Sequence, residues 1–248
     1  MAELPSTLEE AIAQAREATK AALADGYTRL QVELVFPELK TMPVAQQFLP
    51  VFEEQASELK VFFPDTGAAA LARRDWGQVP FKIEDLGSSR TPIQGKIKEE
   101  DKVFLVVEPS SVEVAQVEQL CNAAGDRPVI LLTPRLEDST IVGIGYAGRQ
   151  LRDRFIKTLH SCYYIRPLEE AAVFRCYPSQ WQVWLETGDE YKLIAEEAQK
   201  PVGEGLDLII AKATGAASGT TTDTGNAPKP KKAGLFTGLQ RFLKALSQ

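Results

Sequence analysis

Two kinds of hydrophobic pattern alternate over residues 1–160. Short apolar runs, of which Val103–Val107 and Val129–Leu132 are the clearest, alternate with longer stretches whose apolar residues recur every three or four positions. The short runs predict buried β-strands, and the longer stretches predict amphipathic helices. Apolar strands that alternate with helices are typical of a parallel sheet covered by helices on both faces. The pattern therefore predicts an α/β domain.

The pattern changes after residue 160. Four short stretches with strand-like patterns, at 163–165, 171–176, 180–186 and 191–195, follow one another with only short turns between them. Such a series predicts a small antiparallel meander. A last apolar stretch at 206–211 predicts a closing helix. We therefore predict, for residues 1–213, a mainly parallel sheet that helices cover on both faces and that an antiparallel meander extends.

The end of the chain has a different composition. Residues 214–226 are almost wholly Gly, Ala, Ser, Thr, Asp and Asn, which cannot bury enough apolar area to fold, so we predict a flexible linker over 214–232. Residues 233–248 predict a basic amphipathic helix. Its apolar face consists of Leu235, Phe236, Leu239, Phe242, Leu243 and Leu246, and the bases on or before the helix are Lys229, Lys231, Lys232, Arg241 and Lys244. This apolar face must be buried against a membrane, a partner protein or the body of the chain.

Charge is unevenly distributed along the chain. The whole chain has a net charge of −6, although residues 223–248 contain five bases and one acid, which leaves −10 on residues 1–222. Nucleic-acid binding requires a basic face that can neutralise phosphates, so an acidic body argues against a nucleic-acid partner. The opposite signs of the body and its C-terminal segment indicate that the two have separate partners.

Few residues of the body have the spacing of catalytic or cofactor sites. His160 is the only histidine, and its neighbours Ser161 and Cys162 point in different directions, so they do not form a triad. The three cysteines lack the close spacing of a metal site, and we interpret them as buried thiols. Residues 143–148 match G-x-G-x-x-G, but a loop rather than a clear strand precedes them. We interpret them as a glycine turn before a helix and predict no cofactor and no metal.

Some polar and aromatic residues remain candidates for an anion site or a partner-binding patch. Arg149 and Arg152 share a helix face in an otherwise acidic body, although a solvated helix surface is the alternative. Trp181 and Trp184 face opposite sides of a predicted strand, so one of them could anchor a partner, whereas core packing of both is the alternative. The candidate patch consists of Arg149, Arg152, Arg166, Tyr177, Trp181 and Trp184.

The segment 65–67, with sequence DTG, follows a predicted buried strand. This is the position at which doubly wound folds bind ligands. An N-cap for the next helix explains Asp65 equally well.

Four motifs in the second half of the chain resemble one known family. They are RQLRDRF at 149–155, YYIRPL at 163–168, FRCYP at 174–178 and WQVW at 181–184. In this order they resemble the uncharacterised domain family numbered nineteen ninety-five, and the resemblance extends over residues 8–211. The family occurs in cyanobacteria and chloroplasts. Some plastid members assist photosystem II assembly, and in some plant proteins the domain follows an adenylate kinase.

The resemblance implies a location and a process, because the family has no established catalytic residues to transfer to this chain. We therefore expect a non-catalytic interaction protein of an oxygenic phototroph that assists photosystem assembly or maintenance. It would be cytoplasmic and peripherally associated with the cytoplasmic face of the thylakoid membrane, with that surface or a membrane-associated client protein as its partner. The alternative is a nucleotide- or phosphate-binding enzyme that uses the strand ends of the α/β domain.

The predicted C-terminal helix should bind anionic membranes reversibly. Its apolar face can enter the headgroup boundary while the bases stay in the interface, where each Lys or Arg adds on the order of 1 kcal/mol and is screened by salt. In flotation assays at low salt, we expect the intact protein to float with anionic vesicles and the Phe236→Glu, Phe242→Glu variant to remain in the dense fraction. Failure of the wild type to float would assign the apolar face to a protein partner.

Overall fold

A nine-stranded mixed sheet forms the centre of the protein. The computed structural model describes residues 3–88, 91–136, 146–188 and 190–215. The strand order is β3-β2-β4-β5-β1-β6-β7-β8-β9. The first six strands in this order are parallel to their neighbours, and β7, β8 and β9 continue the sheet from β6 in antiparallel pairs. The strands are β1 Arg29–Leu34, β2 Leu59–Phe63, β3 Lys82–Asp85, β4 Val103–Val107, β5 Val129–Leu132, β6 His160–Pro167, β7 Ala171–Cys176, β8 Trp181–Thr187 and β9 Glu190–Glu197. The predicted mainly parallel sheet and its antiparallel meander are both confirmed.

Helices cover both faces of the sheet, as predicted. They are α1 Leu8–Ala24, α2 Thr41–Phe48, α3 Thr66–Trp76, α4 Val114–Ala124, α5 Tyr146–Arg154 and α6 Gly203–Thr214. Residues of α1, α2 and α3 belong to the main core on one face. On the opposite face, residues of α4 and α5 pack over β2, β4 and β5, and residues of α6 pack over β6, β7 and β8.

Strand β1 differs in its exposure from β2, β4 and β5, which lie on one side of it in the parallel part of the sheet. Every residue of β2, β4 and β5 is buried, whereas buried and partly exposed residues alternate along β1. Leu30, Val32 and Leu34 belong to the main core, so Gln31 and Glu33 point to the opposite face. This polar side of β1 lies between the region under α4 and α5 and the region under α6. The described helices leave it partly exposed.

Side chains at the helix starts explain two boundaries. Thr7 caps α1 by accepting a hydrogen bond from the Glu10 amide at 3.1 Å, and Glu10 accepts from the Ser6 amide at 2.7 Å. Asp65 caps α3 by accepting from the Ala68 amide at 2.9 Å. The N-cap interpretation of Asp65 is thus confirmed.

Short 3-10 segments follow two of the helices, and one predicted boundary needs correction. Helix α2 is followed by the 3-10 segment Leu49–Glu58, because Pro50 cannot continue the helical hydrogen bonds. Helix α5 ends at Arg154, before the 3-10 segment Ile156–Thr158. Thr214 was assigned to the linker, but α6 continues through it until Gly215, whose φ of 75° ends the helix.

The predicted linker from residue 216 onward and the predicted helix over 233–248 lie outside the described residues. Gly143 and Gly145 of the glycine motif also lie outside them, while Gly148 belongs to α5. None of the described helices combines the length and hydrophobicity that a membrane crossing requires. All three cysteines are free and buried, as predicted.

A buried lysine in β2 provides a test of the packing around this strand. Lys60 is fully buried, and its Nζ lies 2.8 Å from Glu84 Oε1 and 3.5 Å from Asp101 Oδ2. Asp101 is itself 2% exposed. Its removal would leave a buried ammonium with only part of its compensating charge, and breaking such buried pairs costs about 3 kcal/mol or more.

We therefore expect Asp101→Ala to lower the free energy of unfolding by about 3 kcal/mol, measured by urea denaturation. The exposed carboxylate Glu99 offers the matched control, since Glu99→Ala should change that free energy by no more than about 0.5 kcal/mol. Equal effects of the two substitutions would contradict the buried pair.

Candidate functional site

The polar side of β1 forms the floor of a groove of about 790 Å³, which we call the sheet groove. Five bases line this groove among the described residues, and Glu33 is the one acid. The bases are Arg135, Arg152, Lys157, Arg175 and Lys200. This excess of positive charge lies in a part of the chain, residues 1–222, whose net charge is −10. The groove therefore attracts anionic groups despite the acidity of the surrounding body.

Most of these bases already have a carboxylate partner. Lys200 Nζ lies 3.3 Å from Glu33 Oε1, while Ser161 Oγ donates to Glu33 Oε2 at 2.7 Å. Lys157 pairs with Asp153 at 2.6 Å, and Arg135 pairs with Glu108 at 3.2 Å. The Lys157 and Arg135 pairs are largely exposed, and such pairs contribute little stability. Their cations can consequently exchange partners at little cost.

Arg175 differs from the other bases because it has no carboxylate partner within the described residues. It is half-buried, and burial lowers the pKa of its guanidinium. The groups that oppose this lowering of its pKa are the thiol of Cys162 and the hydroxyls of Tyr27 and Tyr177, none of which is a carboxylate. An arginine remains protonated even so. The sheet groove thus contains a partly desolvated cation with an unmatched charge.

Aromatic rings hold this cation in place. In the sheet, Tyr164 of β6 lies opposite Glu33 of β1 on one side and opposite Arg175 of β7 on the other. The guanidinium carbon of Arg175 lies 5.2 Å from the centre of the Trp181 ring, and Lys200 Nζ lies 3.8 Å from the centre of the Tyr164 ring. Both distances are in the range of cation–π attraction. The charged groups of the groove are therefore held against rigid side chains.

His160 lines the same groove at the start of β6. Its ring stacks on Tyr27 with the centroids 3.9 Å apart and meets the edge of Tyr177 at 5.3 Å. Tyr177 donates to Asp25 Oδ2 at 2.6 Å, and this hydrogen bond raises the pKa of Tyr177 to about 12. Burial, followed by the charge of Arg175, lowers the pKa of His160 below 6.5. His160 is therefore mainly neutral at pH 7.

A second cavity, of about 500 Å³, lies at the carboxyl ends of β1, β5 and β6, and we call it the strand-end cavity. It shares Glu33, Pro134 and Arg135 with the sheet groove. Two of its lining residues, Glu38 and Thr133, have positive φ angles of 57° and 50°. The chain leaves β1 towards β2 and leaves β5 towards β6, in opposite directions from adjacent strands. Doubly wound folds bind ligands at such a switch point.

The residues that line both cavities lie within a segment that matches a known family. The family model described as "Domain of unknown function (DUF1995)" matches residues 5–208. The chain belongs to the DUF1995 family. The matched residues include all nine strands and every residue that lines the sheet groove. The family prediction made from the four motifs is confirmed.

Three of those four motifs contribute a lining residue to the groove of this DUF1995 domain, and the fourth contributes a residue beside it. Arg152, Arg175 and Trp181 line it, and Tyr164 supports Lys200 beside it. These residues come from α5, β7, β8 and β6, which are consecutive in the chain but are brought to one face by the sheet order.

The candidate patch predicted from the sequence does not form one surface. Arg152 and Trp181 line the sheet groove, and Tyr177 contacts His160 beside it. Arg166 instead lines the strand-end cavity, and Arg149 lies exposed on α5 and lines neither cavity.

Neither tryptophan is an exposed anchor. Trp181 is 4% exposed, and Trp184 packs partly buried against the main core on the other face of β8. The two side chains lie on opposite faces, as expected from their spacing. The predicted binding residues between 229 and 246 lie outside the described part of the chain.

Sequence reasoning missed Glu33, Arg175 and Lys200 as parts of a site. Arg175 did carry a signal, since it is the one charged residue of the otherwise apolar strand β7, whereas Glu33 lies in a strand that alternates polar and apolar residues. Lys200 lies in the connection between β9 and α6 and carries no pattern of its own.

The electrostatic link between Arg175 and His160 can be tested directly. The chain has one histidine, so its NMR ring signals need no assignment by mutation. We expect a titration of the wild type to give a His160 pKa below 6.5, and Arg175→Met to raise that pKa because a nearby positive charge is lost. The exposed Arg149→Met is the matched control and should leave it unchanged. A His160 pKa that does not respond to Arg175→Met would contradict the arrangement.

Proposed function

We propose that this DUF1995 protein is a non-catalytic binding protein whose sheet groove holds an acidic segment of a partner protein. The observation that carries the proposal is that, among the described residues, five bases and one acid line a concave surface within a body of net negative charge. A partner surface of opposite sign gains most from such an arrangement, because complementary charges accelerate association and disfavour wrong partners.

The dimensions of the groove suit a short peptide segment. Its volume of about 790 Å³ lies in the range of ordinary ligand pockets, and its lining combines cations with Ile156, Leu159 and Trp181. The mixture favours a segment in which acidic residues alternate with apolar ones. The apolar residues of the partner segment would contact the wall formed by Ile156 and Leu159, and its acidic residues would face the cations.

The family resemblance supports a setting for this binding. We propose that the client is a subunit of a photosynthetic complex during assembly or maintenance, at the cytoplasmic face of the thylakoid membrane. In this arrangement the basic C-terminal segment would hold the protein at the membrane while the body presents the sheet groove to the client. The opposite charges of the two parts are consistent with such a division of roles.

Binding of a synthetic acidic peptide tests the groove. We expect a fluorescent peptide of alternating Glu and Leu to bind at an ionic strength of about 0.1 M and to dissociate near 1 M, where the Debye length falls from about 10 to about 3 Å. The pair Arg135→Gln, Lys157→Gln removes two exposed cations from the groove and should weaken binding about tenfold, equivalent to 1.4 kcal/mol. Fluorescence anisotropy provides the measurement.

A matched pair controls for net charge. Arg74 and Arg149 are exposed and line neither cavity, so Arg74→Gln, Arg149→Gln makes the same change of charge elsewhere. An equal loss of affinity in both pairs would mean that only overall charge matters and would refute the groove.

The strand-end cavity supports a second candidate function, a nucleotide- or phosphate-binding enzyme. The specific observation is Thr133, a β-branched residue with a φ of 50° that is 6% exposed at the switch point. A panel of nucleotides in thermal melting separates the candidates, since a ligand at one hundred times its dissociation constant adds about 2.7 kcal/mol. Stabilisation by a nucleotide that Arg166→Gln removes would favour the enzyme.

A further inference from the structure

We propose that Arg175 and His160 form an oxyanion subsite within the sheet groove, which binds one carboxylate of the partner segment. This inference rests on the proposed function and adds the group that the groove recognises. The same chemistry would accept a free phosphate ion, so the experiment below compares the two sources.

Two buried polar atoms without partners mark the subsite. In the described part of the chain, the Nε of Arg175 and the Nε2 of His160 are buried and have no hydrogen-bond partner. Both side chains line the sheet groove. Buried polar groups in folded proteins nearly always have a partner, and an exception calls for an explanation such as a bound ligand. Both exceptions belong to side chains that line the same groove, so a single anion bound there would lie beside both of them.

The sheet prevents Arg175 from finding this partner within the body. Its neighbour on β6 is Tyr164, and the ring of Trp181 covers it from β8. Glu33 lies beyond Tyr164, two strands away, or roughly 10 Å at the usual strand spacing. Ser161 and Lys200 already bind both oxygens of Glu33. The described structure thus keeps a cation in place and separates it from the acid of the same groove.

The geometry of the two side chains selects an oxyanion. A guanidinium presents parallel N–H donors that match the two oxygens of a carboxylate, and its contact with Trp181 limits its rotation before the ligand arrives. The ring of His160, held between Tyr27 and Tyr177, offers a second donor when it is protonated. A bound anion would also offset the positive charge of Arg175 near His160. Ligand binding should therefore favour protonation of His160.

Among the groups around the subsite, His160 is the one whose protonation should change between pH 5 and 8. The other titratable side chains near it are Tyr27, Tyr177 and Arg175, with Asp25 bonded to Tyr177 and Lys157 on the same groove wall. The raised pKa of Tyr177, at about 12, keeps its phenol protonated throughout the range from pH 5 to 8. A change in protonation within this range would be that of His160.

NMR of the single histidine tests the subsite with the full chain. We add the acidic Glu–Leu peptide in one series and inorganic phosphate in another, and we follow the His160 ring signals across pH. We expect the peptide to shift these signals and to raise the pKa of His160. We also expect Arg175→Lys, which keeps the charge but loses the parallel donors, to weaken peptide binding about tenfold. Arg149→Lys is the control and should bind as the wild type does.

The outcomes separate the subsite from the proposed function. If the peptide binds while the His160 signals stay fixed and Arg175→Lys binds normally, the subsite is wrong and the groove function stands. If phosphate shifts His160 and the peptide does not bind at all, the subsite is supported with a free anion as its ligand, and the acidic-segment function fails. If neither probe shifts His160, the subsite is refuted. The wild-type NMR series needs no variant, so the test holds even if an Arg175 variant does not fold.

Discussion

The central strand β1 has to satisfy opposite requirements on its two faces. Leu30, Val32 and Leu34 pack into the main core beneath α1, while Gln31 and Glu33 point to the other face. A helix packed over that polar face would bury an amide and a carboxylate, at a cost unless each found partners. The helices on this face instead form two separate groups, α4 with α5 and α6 alone. The groove between them follows from this constraint.

The antiparallel meander supplies the opposite side of the groove. Arg175 lies on β7, Trp181 begins β8 and Lys200 follows β9. The meander continues the sheet from β6, next to β1, so these residues stand on the same face as Glu33. The parallel half of the protein thus contributes a polar floor, and the antiparallel half contributes Arg175, Lys200 and the aromatic side chains that contact them. The proposed binding depends on both halves.

The positive charges of the groove are only partly neutralised by carboxylates of the described residues. Lys200 neutralises Glu33, and the exposed cations at the rim have nearby carboxylates. Arg175 is the exception in the described structure, since aromatic rings take the positions next to it. Aromatic contacts hold a guanidinium in place without cancelling its charge. Such a group loses hydration on folding, and an incoming anion can restore the interactions that it lost.

The sequence alone determined the class of fold, the covered parallel sheet and the meander, because periodicity is a local property of the chain. It offered the N-cap at Asp65 as one of two interpretations, between which the structure decided. It also identified Arg152 and Trp181 as candidates. It could not place Arg166 in a different cavity from Arg152, or show that Arg175 has no carboxylate partner among the residues that the structure describes. Glu33 meets Ser161 and Lys200 across 128 and 167 residues of sequence. Contacts over such distances depend on the order of strands in the sheet, in which β1 lies beside β6. Only the tertiary structure decides that order, since it follows from the packing of the whole sheet rather than from any single segment.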